Sequence, residues 1–461
     1  MKFVPTYSQN VSRRLTATAA AALMGTAMML PLSAYAQSFE EALRLAYETN
    51  PTIDAARADL RSVDELVPQA RGGYLPTIRG SAYAGYSDTD NDPGGSETTT
   101  PTGASITANQ YIFRGGRTFA EIDQAENTVL AQRGSLTDTT QQILLSAAAA
   151  YFDVVRDQAV VALNENNQDV LDRQLQASRD RFDVGEVTRT DVSQSESRLA
   201  RAQSDLIEAQ GNLEISRSNF ARIVGQMPEV LTQPELDIVL PETLEEAITM
   251  ALDSNPAVVS SRYSEVASKS AIDAEFADLL PEISLNASAS RNDEPSNFTD
   301  RTDELQARVT ISIPLYQAGV ASSQVREAKQ RAARSRRLVD EAIRFATDTT
   351  VAAWEALESA RAQIESRQAQ VDSSNIALEG VRQEALVGSR TTLDVLDAEQ
   401  ELLDAQVNLA TAVRNESTAT FQLLSAIGSL SPQFLGLNAD VYDPTENYDR
   451  VRDKLWGISV E

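Results

Sequence analysis

The chain repeats itself at a nearly constant spacing, and this repeat limits its possible folds more than any other feature. Residues 38–51 return 205 positions later as residues 243–256, with six of fourteen positions identical. Three further segments keep nearly the same register: Leu75-Pro76 with Leu280-Pro281, Val184-Gly185 with Val387-Gly388, and Thr190-Asp191-Val192 with Leu393-Asp394-Val395. A duplication of this length predicts two copies of one structural unit that complete their core by packing together.

The N-terminal segment, residues 1–36, is predicted to be a secretory signal peptide. Basic residues precede an apolar run that ends at Leu32, and an Ala-x-Ala pattern ends at Ala36. This order is typical of a cleaved leader, and an N-terminal membrane anchor is the alternative. We therefore expect an exported protein whose mature chain begins at Gln37.

Composition excludes several classes of function. The chain has no cysteine and no histidine, which removes disulfides, thiol nucleophiles, imidazole bases and His or Cys metal sites. No phosphate-binding loop or nucleophile elbow accompanies the carboxylates, so we expect no enzyme, no cofactor and no metal. The formal net charge of -27 would repel nucleic acid. It fits either a well-hydrated surface or a cavity that favours cations.

Four segments alternate between apolar and polar residues, as amphipathic strands do. They are residues 78–86, 104–113, 283–290 and 305–313. The links at 87–96 and 292–300 resemble loops, so each half of the chain supplies one β-hairpin. Two hairpins alone leave open edges, which other subunits would have to pair. Aromatic residues near the strand ends fit either an interfacial girdle or ordinary packing: Tyr74, Tyr83, Tyr86, Tyr111, Phe113 and Tyr316.

The remainder is predicted to be long helix. Residues 117–182 and 321–386 contain no proline, and sixty-odd helical residues extend about 100 Å. The following segments carry heptad seams in which large residues alternate with small ones, as Leu199 and Leu206 alternate with Ala202 and Ala209. Each half therefore predicts an antiparallel coiled-coil hairpin that turns at a glycine.

In combination, these motifs resemble the TolC-type outer-membrane efflux factors up to about Gly428. The motifs are two Asn-Pro helices, two Leu-Pro strand starts, the turns at residues 112–116 and 315–319, and two Val-Gly…Asp-Val hairpins. The resemblance implies a homotrimer in the outer membrane, in contact with its lipid. Three chains would share a twelve-stranded β-barrel and a periplasmic α-barrel.

The resemblance also implies a function and partners. Such channels are exit ducts for drug efflux or type I secretion, and they dock onto a periplasmic adaptor protein and an inner-membrane transporter. The sequence does not separate the two cargo classes. A soluble periplasmic coiled-coil adaptor or scaffold protein is the alternative.

The hairpin tips are the sites that the resemblance assigns to gating. Arg390 would act as a latch toward Thr190 and Asp191, and Asp394 and Asp397 would form an acidic constriction at the entrance. The Val-Gly pairs of both tips would contact the adaptor: Val184, Gly185, Val387 and Gly388.

The same tips have a second interpretation and one departure from the family. Asp191 and Asp394 each follow a threonine by three positions, which also fits a helix-capping pattern, whereas capping explains Asp397 poorly. The family's type example has a tyrosine where this chain has Ala385. The gate of this chain is therefore predicted to be held by different contacts.

These observations divide the chain into four parts. Residues 1–36 are the leader, and 37–235 are the first repeat with a β-hairpin at about 75–113 and a coiled coil at about 117–225. The second repeat is 240–428, with a β-hairpin at about 281–314 and a coiled coil at about 320–428. An acidic C-terminal tail, 429–461, is predicted either to pack around the tunnel or to be disordered.

Overall fold

The computed structural model describes residues 38–235, 238–296 and 299–459, except for the side chain of Asn91. The predicted signal peptide, residues 1–36, lies outside these ranges. The helices are α1 Phe39–Thr49, α2 Pro51–Asp64, α3 Leu66–Arg71, α4 Arg117–Asp183, α5 Arg189–Val224, α6 Leu244–Ser254, α7 Pro256–Phe276, α8 Val320–Leu386, α9 Thr392–Ala426 and α10 Glu446–Val451. The strands are β1 Thr77–Ala84, β2 Ser87–Asn91, β3 Gly95–Thr99, β4 Thr102–Arg114, β5 Glu282–Ser296 and β6 Thr299–Ser312.

The two Asn-Pro motifs hold equivalent positions in the two repeats. Asn50 caps α2 by accepting from the Thr52 amide at 2.9 Å, and its own amide group donates to the Ile223 carbonyl at 2.9 Å. Asn255 caps α7 in the same way and donates to the Ala426 carbonyl at 3.0 Å. Each asparagine therefore starts one helix and ties it to the end of the return helix of its own repeat. The following proline suits the first turn, where an amide donor is not needed.

The long helices form two antiparallel hairpins, α4 with α5 and α8 with α9. Both α4 and α8 have 67 residues, which corresponds to about 100 Å of helix. Small residues of the predicted seams are buried at equivalent heights, Ala202 in the first hairpin and Ala405 in the second. They allow the paired backbones to approach closely. Within the described ranges, no helix combines the length and the apolar character that crossing a bilayer requires.

The main hydrophobic core lies where the short helix α1 meets the middle of the long helices. The ring of Phe39 contacts those of Tyr151 and Phe152, with centroids 5.1 Å away in both cases, and that of Phe421 at 5.2 Å. These rings come from α1, α4 and α9, so the core joins the first repeat to the second. This arrangement explains why neither copy would be complete alone.

Four strands form one antiparallel sheet in the order β1, β4, β5, β6. The register aligns Gly80 with Ile106, Ile106 with Ala289, and Ala289 with Leu305. Directly paired residues point to the same face, so the alternating apolar residues of all four strands share one face of the sheet. Large members of this face are exposed: Ile78, Ile106, Leu285, Leu305, Val309 and Ile311. Serines and other polar residues occupy the opposite face, where the Ser81 and Ser105 hydroxyls lie 2.8 Å apart.

The prediction of loops between the strands was wrong in both repeats. In the first repeat the link contains its own hairpin, β2 with β3, whose register pairs Thr89 with Glu97. In the second repeat β5 continues to Ser296 and β6 begins at Thr299. Polar residues in these links are typical of turns, and this led to the prediction of loops. Exposed threonines and serines also fit paired strands once a neighbouring strand supplies hydrogen bonds.

The C-terminal tail packs against the helices at the start of the chain. Its Leu430, Leu437 and Val451 are buried. The Tyr442 amide donates to the Tyr47 hydroxyl at 3.0 Å, and Asn447 donates to the buried carboxylate of Asp64 at 2.8 Å. Of the two alternatives for the tail, the described part therefore shows packing.

Candidate functional site

The first-repeat tip is the turn between α4 and α5. Gly185 adopts φ +81°, a left-handed conformation that favours glycine. Helix α5 then starts with a capping box, in which the Thr188 amide donates to the Asp191 carboxylate at 2.8 Å and the Asp191 amide donates back to the Thr188 hydroxyl at 3.4 Å. The Thr188 hydroxyl also donates to the Asp191 carboxylate, at 2.7 Å, and this bond together with the one from the Thr188 amide lowers the pKa of Asp191.

The second-repeat tip, between α8 and α9, has the same geometry. Gly388 has φ +78°. The Thr391 amide donates to the Asp394 carboxylate at 2.8 Å, and the Asp394 amide donates to the Thr391 hydroxyl at 3.2 Å. Hydrogen bonds from the Thr391 amide and hydroxyl lower the pKa of Asp394. The capping interpretation is therefore observed at both aspartates. A carboxylate that caps a helix can also face a pore, so the two roles are compatible.

Arg390 bonds within its own hairpin. Its Nε donates to Glu384 Oε2 at 2.8 Å. In the described part of the chain no hydrogen bond or ion pair joins Arg390 to Thr190 or Asp191, and Asp191 is occupied by its capping box. Glu384 did not emerge from the sequence, because it lies in a run of mixed polar residues without a distinguishing pattern.

An ion pair of Arg198 with Asp397 links the two hairpins near their tips. Arg198 Nη2 on α5 donates to Asp397 Oδ1 on α9, and the carboxylate is about half exposed. Asp397 was a predicted site residue, whereas Arg198 was missed. A signal for it exists, because the register of 203 places Arg198 opposite Glu401, so the charge at this position is reversed between the copies.

Each hairpin also carries one internal ion pair at an equivalent position. Arg179 contacts Glu196 at 2.8 Å in the first hairpin, and Arg382 donates from Nε to Glu399 at 3.1 Å in the second. The two pairs are related by the same register of 203. They hold the helices within a hairpin, so they differ in kind from the Arg198–Asp397 pair, which connects one hairpin to the other.

Both tips present apolar side chains to solvent. Val184 is 71% exposed and Val387 is 79% exposed, each directly before its turn glycine. A Cβ on either glycine would meet open space, so the positive φ, rather than crowding, is the reason for glycine there. Ala385 lies in the last turn of α8 and is half-buried. Within the described ranges, no group of three acidic residues is placed to hold a metal ion.

Comparison with known proteins agrees with this architecture. The model of the family described as outer membrane efflux protein matches residues 42–226 and 247–429, one match for each repeat. The chain is 35% identical over 442 residues to the outer membrane efflux protein BepC of Brucella suis, covering 95% of this chain and 96% of the relative. It is 26% identical to the outer membrane protein TolC of Vibrio cholerae, covering 89% and 94%.

A solved structure supports the same fold. The CmeC outer membrane channel of Campylobacter jejuni superposes with a TM-score of 0.76 at 16% identity, covering 90% of this chain and 89% of that one. The predicted fold class, mainly helical with a small antiparallel sheet, is confirmed.

The chain belongs to the outer membrane efflux protein family. Its location is the outer membrane, and its function is that of an exit duct, as predicted. The alternative of a soluble periplasmic adaptor is set aside, because the family match spans both repeats.

Proposed function

We propose that three copies of this chain close into one duct, with a gated acidic entrance at the hairpin tips that docks onto a periplasmic adaptor and an inner-membrane transporter. The observation that carries the proposal is the four-stranded sheet. Within the described residues β1 and β6 each pair on one side only, and one face is apolar and exposed. An open edge is unfavourable in lipid, and three such sheets joined edge to edge give a closed barrel of twelve strands.

The long hairpins would continue this barrel as a periplasmic tunnel. Two hairpins from each of three chains make six, and the near equivalence of α4–α5 and α8–α9 lets them pack as a ring of similar units. The exposed Val184 and Val387 lie at the ends of these units and offer apolar contacts to the adaptor, with Gly185 and Gly388 shaping the turns.

At the entrance, we assign the role of closing to the ion pair between Arg198 and Asp397. It joins the two hairpins near their tips, beside the apolar contact of Leu396 with Leu171 and Ala202. Asp394 and Asp397 from three chains would place six carboxylates around a narrow opening and favour cations. Arg390 would act as a latch, either by holding its own tip through Glu384 or by reaching Thr190 and Asp191 when the copies assemble.

Fractionation and conductance test the assembly. The protein should be recovered from the outer membrane as a heat-modifiable trimer that forms channels in planar bilayers. Recovery as a monomer without channel activity would contradict the trimeric duct.

The two versions of the Arg390 latch are separated by single variants. If Arg390 holds its own tip, Glu384→Gln should raise conductance as much as Arg390→Ser does. If it reaches the first tip instead, Asp191→Asn should match Arg390→Ser while Glu384→Gln has little effect. Unchanged conductance in Arg390→Ser would remove the latch.

A further inference from the structure

The end of the C-terminal tail lies beside the entry to the sheet. Arg71, the last residue of α3, forms an ion pair with Asp453 of the tail. A 3₁₀ turn, Gly72–Tyr74, follows α3 and leads into β1 at Thr77. Tail and turn together line a groove of about 420 Å³, whose walls include Tyr74, Leu75 and Leu455. The last described residues therefore lie at the helical edge of the sheet.

This end of the tail exposes large apolar side chains. Leu455 is 74% exposed, Trp456 is 91% exposed, and Ile458 has no cover from the described residues. Tyr74, Leu75 and Phe119 beside them are exposed as well, and the rings of Tyr74 and Phe119 lie 5.4 Å apart. A cluster of exposed apolar residues of this size indicates a contact surface.

Two basic side chains, Arg452 and Lys454, directly precede these apolar ones. The Arg452 guanidinium contacts Asp453 at 3.2 Å from Nε, so its charge is partly compensated. Lys454 donates to the Ser459 carbonyl at 2.7 Å, and among the described residues no carboxylate lies within ion-pair distance of it. A tryptophan two residues after a lysine is typical of a segment at a membrane–water interface.

We propose that residues 452–458 form a membrane foot, which contacts the phospholipid headgroups and upper acyl chains of the periplasmic leaflet of the outer membrane. Trp456, Leu455 and Ile458 enter the boundary region, and Lys454 contacts anionic headgroups. The foot is held in position by the docked tail and by the ion pair of Arg71 with Asp453.

The position of the foot favours lipid over a second copy of the chain. The exposed apolar face of the sheet begins at Ile78, three residues after Leu75, which lines the same groove as Leu455. The foot is thus continuous with the surface that faces lipid in an outer-membrane protein of this family. Tryptophan has an apolar ring and a polar N–H, so Trp456 suits the membrane–water boundary better than the hydrocarbon interior.

The chain contains two tryptophans, and this makes a direct test possible. The variant Trp354→Phe leaves Trp456 as the sole tryptophan, and Trp456→Phe leaves Trp354, which packs against the core between the long helices. Both full-length variants are reconstituted into phosphatidylethanolamine and phosphatidylglycerol vesicles, with bromine placed near the headgroup or deep in the acyl chain. We expect strong quenching of Trp456 by the shallow bromine, weaker quenching by the deep one, and none for Trp354.

A second measurement does not depend on replacing Trp354. A photoreactive benzophenone side chain in place of Trp456 should cross-link to lipid in outer-membrane preparations. Cross-linking to a second copy of the chain, with quenching of Trp456 no greater than that of Trp354, would overturn the proposal and assign the surface to a contact between protomers. Quenching by the deep bromine above that by the shallow one would also contradict an interfacial foot.

Discussion

Asp397 and Arg198 show how the role of a single residue depends on its partner. The carboxylate lies beyond the first turn of α9, where capping does not need it, and its partner is on the other hairpin. We predict that Arg198→Gln and Asp397→Asn each raise channel conductance by loosening the closed entrance. An exposed ion pair contributes about 0–1 kcal/mol, so the open fraction should rise at most about fivefold for each pair lost.

The control for this prediction is the internal pair of the first hairpin. Arg179→Gln removes the contact with Glu196 but leaves the two hairpins connected, so conductance should stay near that of the unmodified protein. Single-channel recordings of the double variant Arg198→Gln with Asp397→Asn should show no increase in conductance beyond that of either single variant. Independent, additive effects would mean that the two side chains do not act through each other.

The caps make a prediction for stability and pH. Thr391→Ala should destabilise the start of α9 by about 1 kcal/mol, because one hydrogen-bond acceptor for the first turn is lost. Hydrogen exchange at residues 392–396 should be faster in this variant, with Thr188→Ala as its counterpart in the first hairpin. If Thr391→Ala leaves the hydrogen-exchange protection of residues 392–396 unchanged, the capping role is contradicted.

The pH dependence follows from the lowered pKa of Asp394. A carboxyl whose folded-state pKa lies below its unfolded value stabilises the folded state above the unfolded pKa. That stabilisation is lost as the pH falls through the folded-state pKa. The cap at Thr391 should therefore weaken as the pH falls from the unfolded-state pKa of Asp394 through its lower folded-state pKa. The difference in exchange between the variant and the unmodified protein should shrink over that range.

At the scale of elements, the small residues of the seams set the distance between paired helices. Ala202 and Ala405 are equivalent and fully buried against the partner helix. Replacing either with leucine should overpack the seam and cost about 1–3 kcal/mol, seen as faster proteolysis of that hairpin. Ala200→Leu, at an exposed position of the same helix, is the control. Equal sensitivity in the control would show that the seam is not the cause.

The elements themselves were largely predictable, because their signals are local. Proline-free runs predicted α4 and α8 to within one residue of their observed ends, since backbone hydrogen bonds in a helix span four residues. Alternation predicted β1, β4, β5 and β6 for the same reason. Strand pairing in the link segments was missed, because it depends on a neighbouring strand rather than on the residues of one strand.

At the scale of the whole molecule, the tail joins the C-terminus to the first helices through a buried polar contact. Asp64 is fully buried, and its carboxylate accepts from Asn447 at 2.8 Å. Asn447→Ala should leave this carboxylate without that donor and cost about 1–3 kcal/mol. Hydrogen exchange of residues 429–459 should rise throughout, whereas Asp449→Ala, at an exposed site, should change little.

The burial of Asp64 predicts a response to acid of the opposite sign to that of the caps. Burial raises the pKa of Asp64, so the charged form weakens the folded state above that pKa. Protection of the tail should therefore increase as the pH falls through the raised pKa, and Asp64→Asn should remove this dependence. Weaker tail protection on mild acidification would contradict the assignment.

The sequence by itself determined the duplication, the two pairs of long helices, the alternating strands and the threonine caps, because each of these depends on residues within a few positions of one another. Only the tertiary structure decided that β4 lies beside β5, that the tail packs on α1 and α2, and that Asp397 meets Arg198. These contacts join residues far apart in the chain. Their partners are set by how whole elements pack, which no local pattern of residue types encodes.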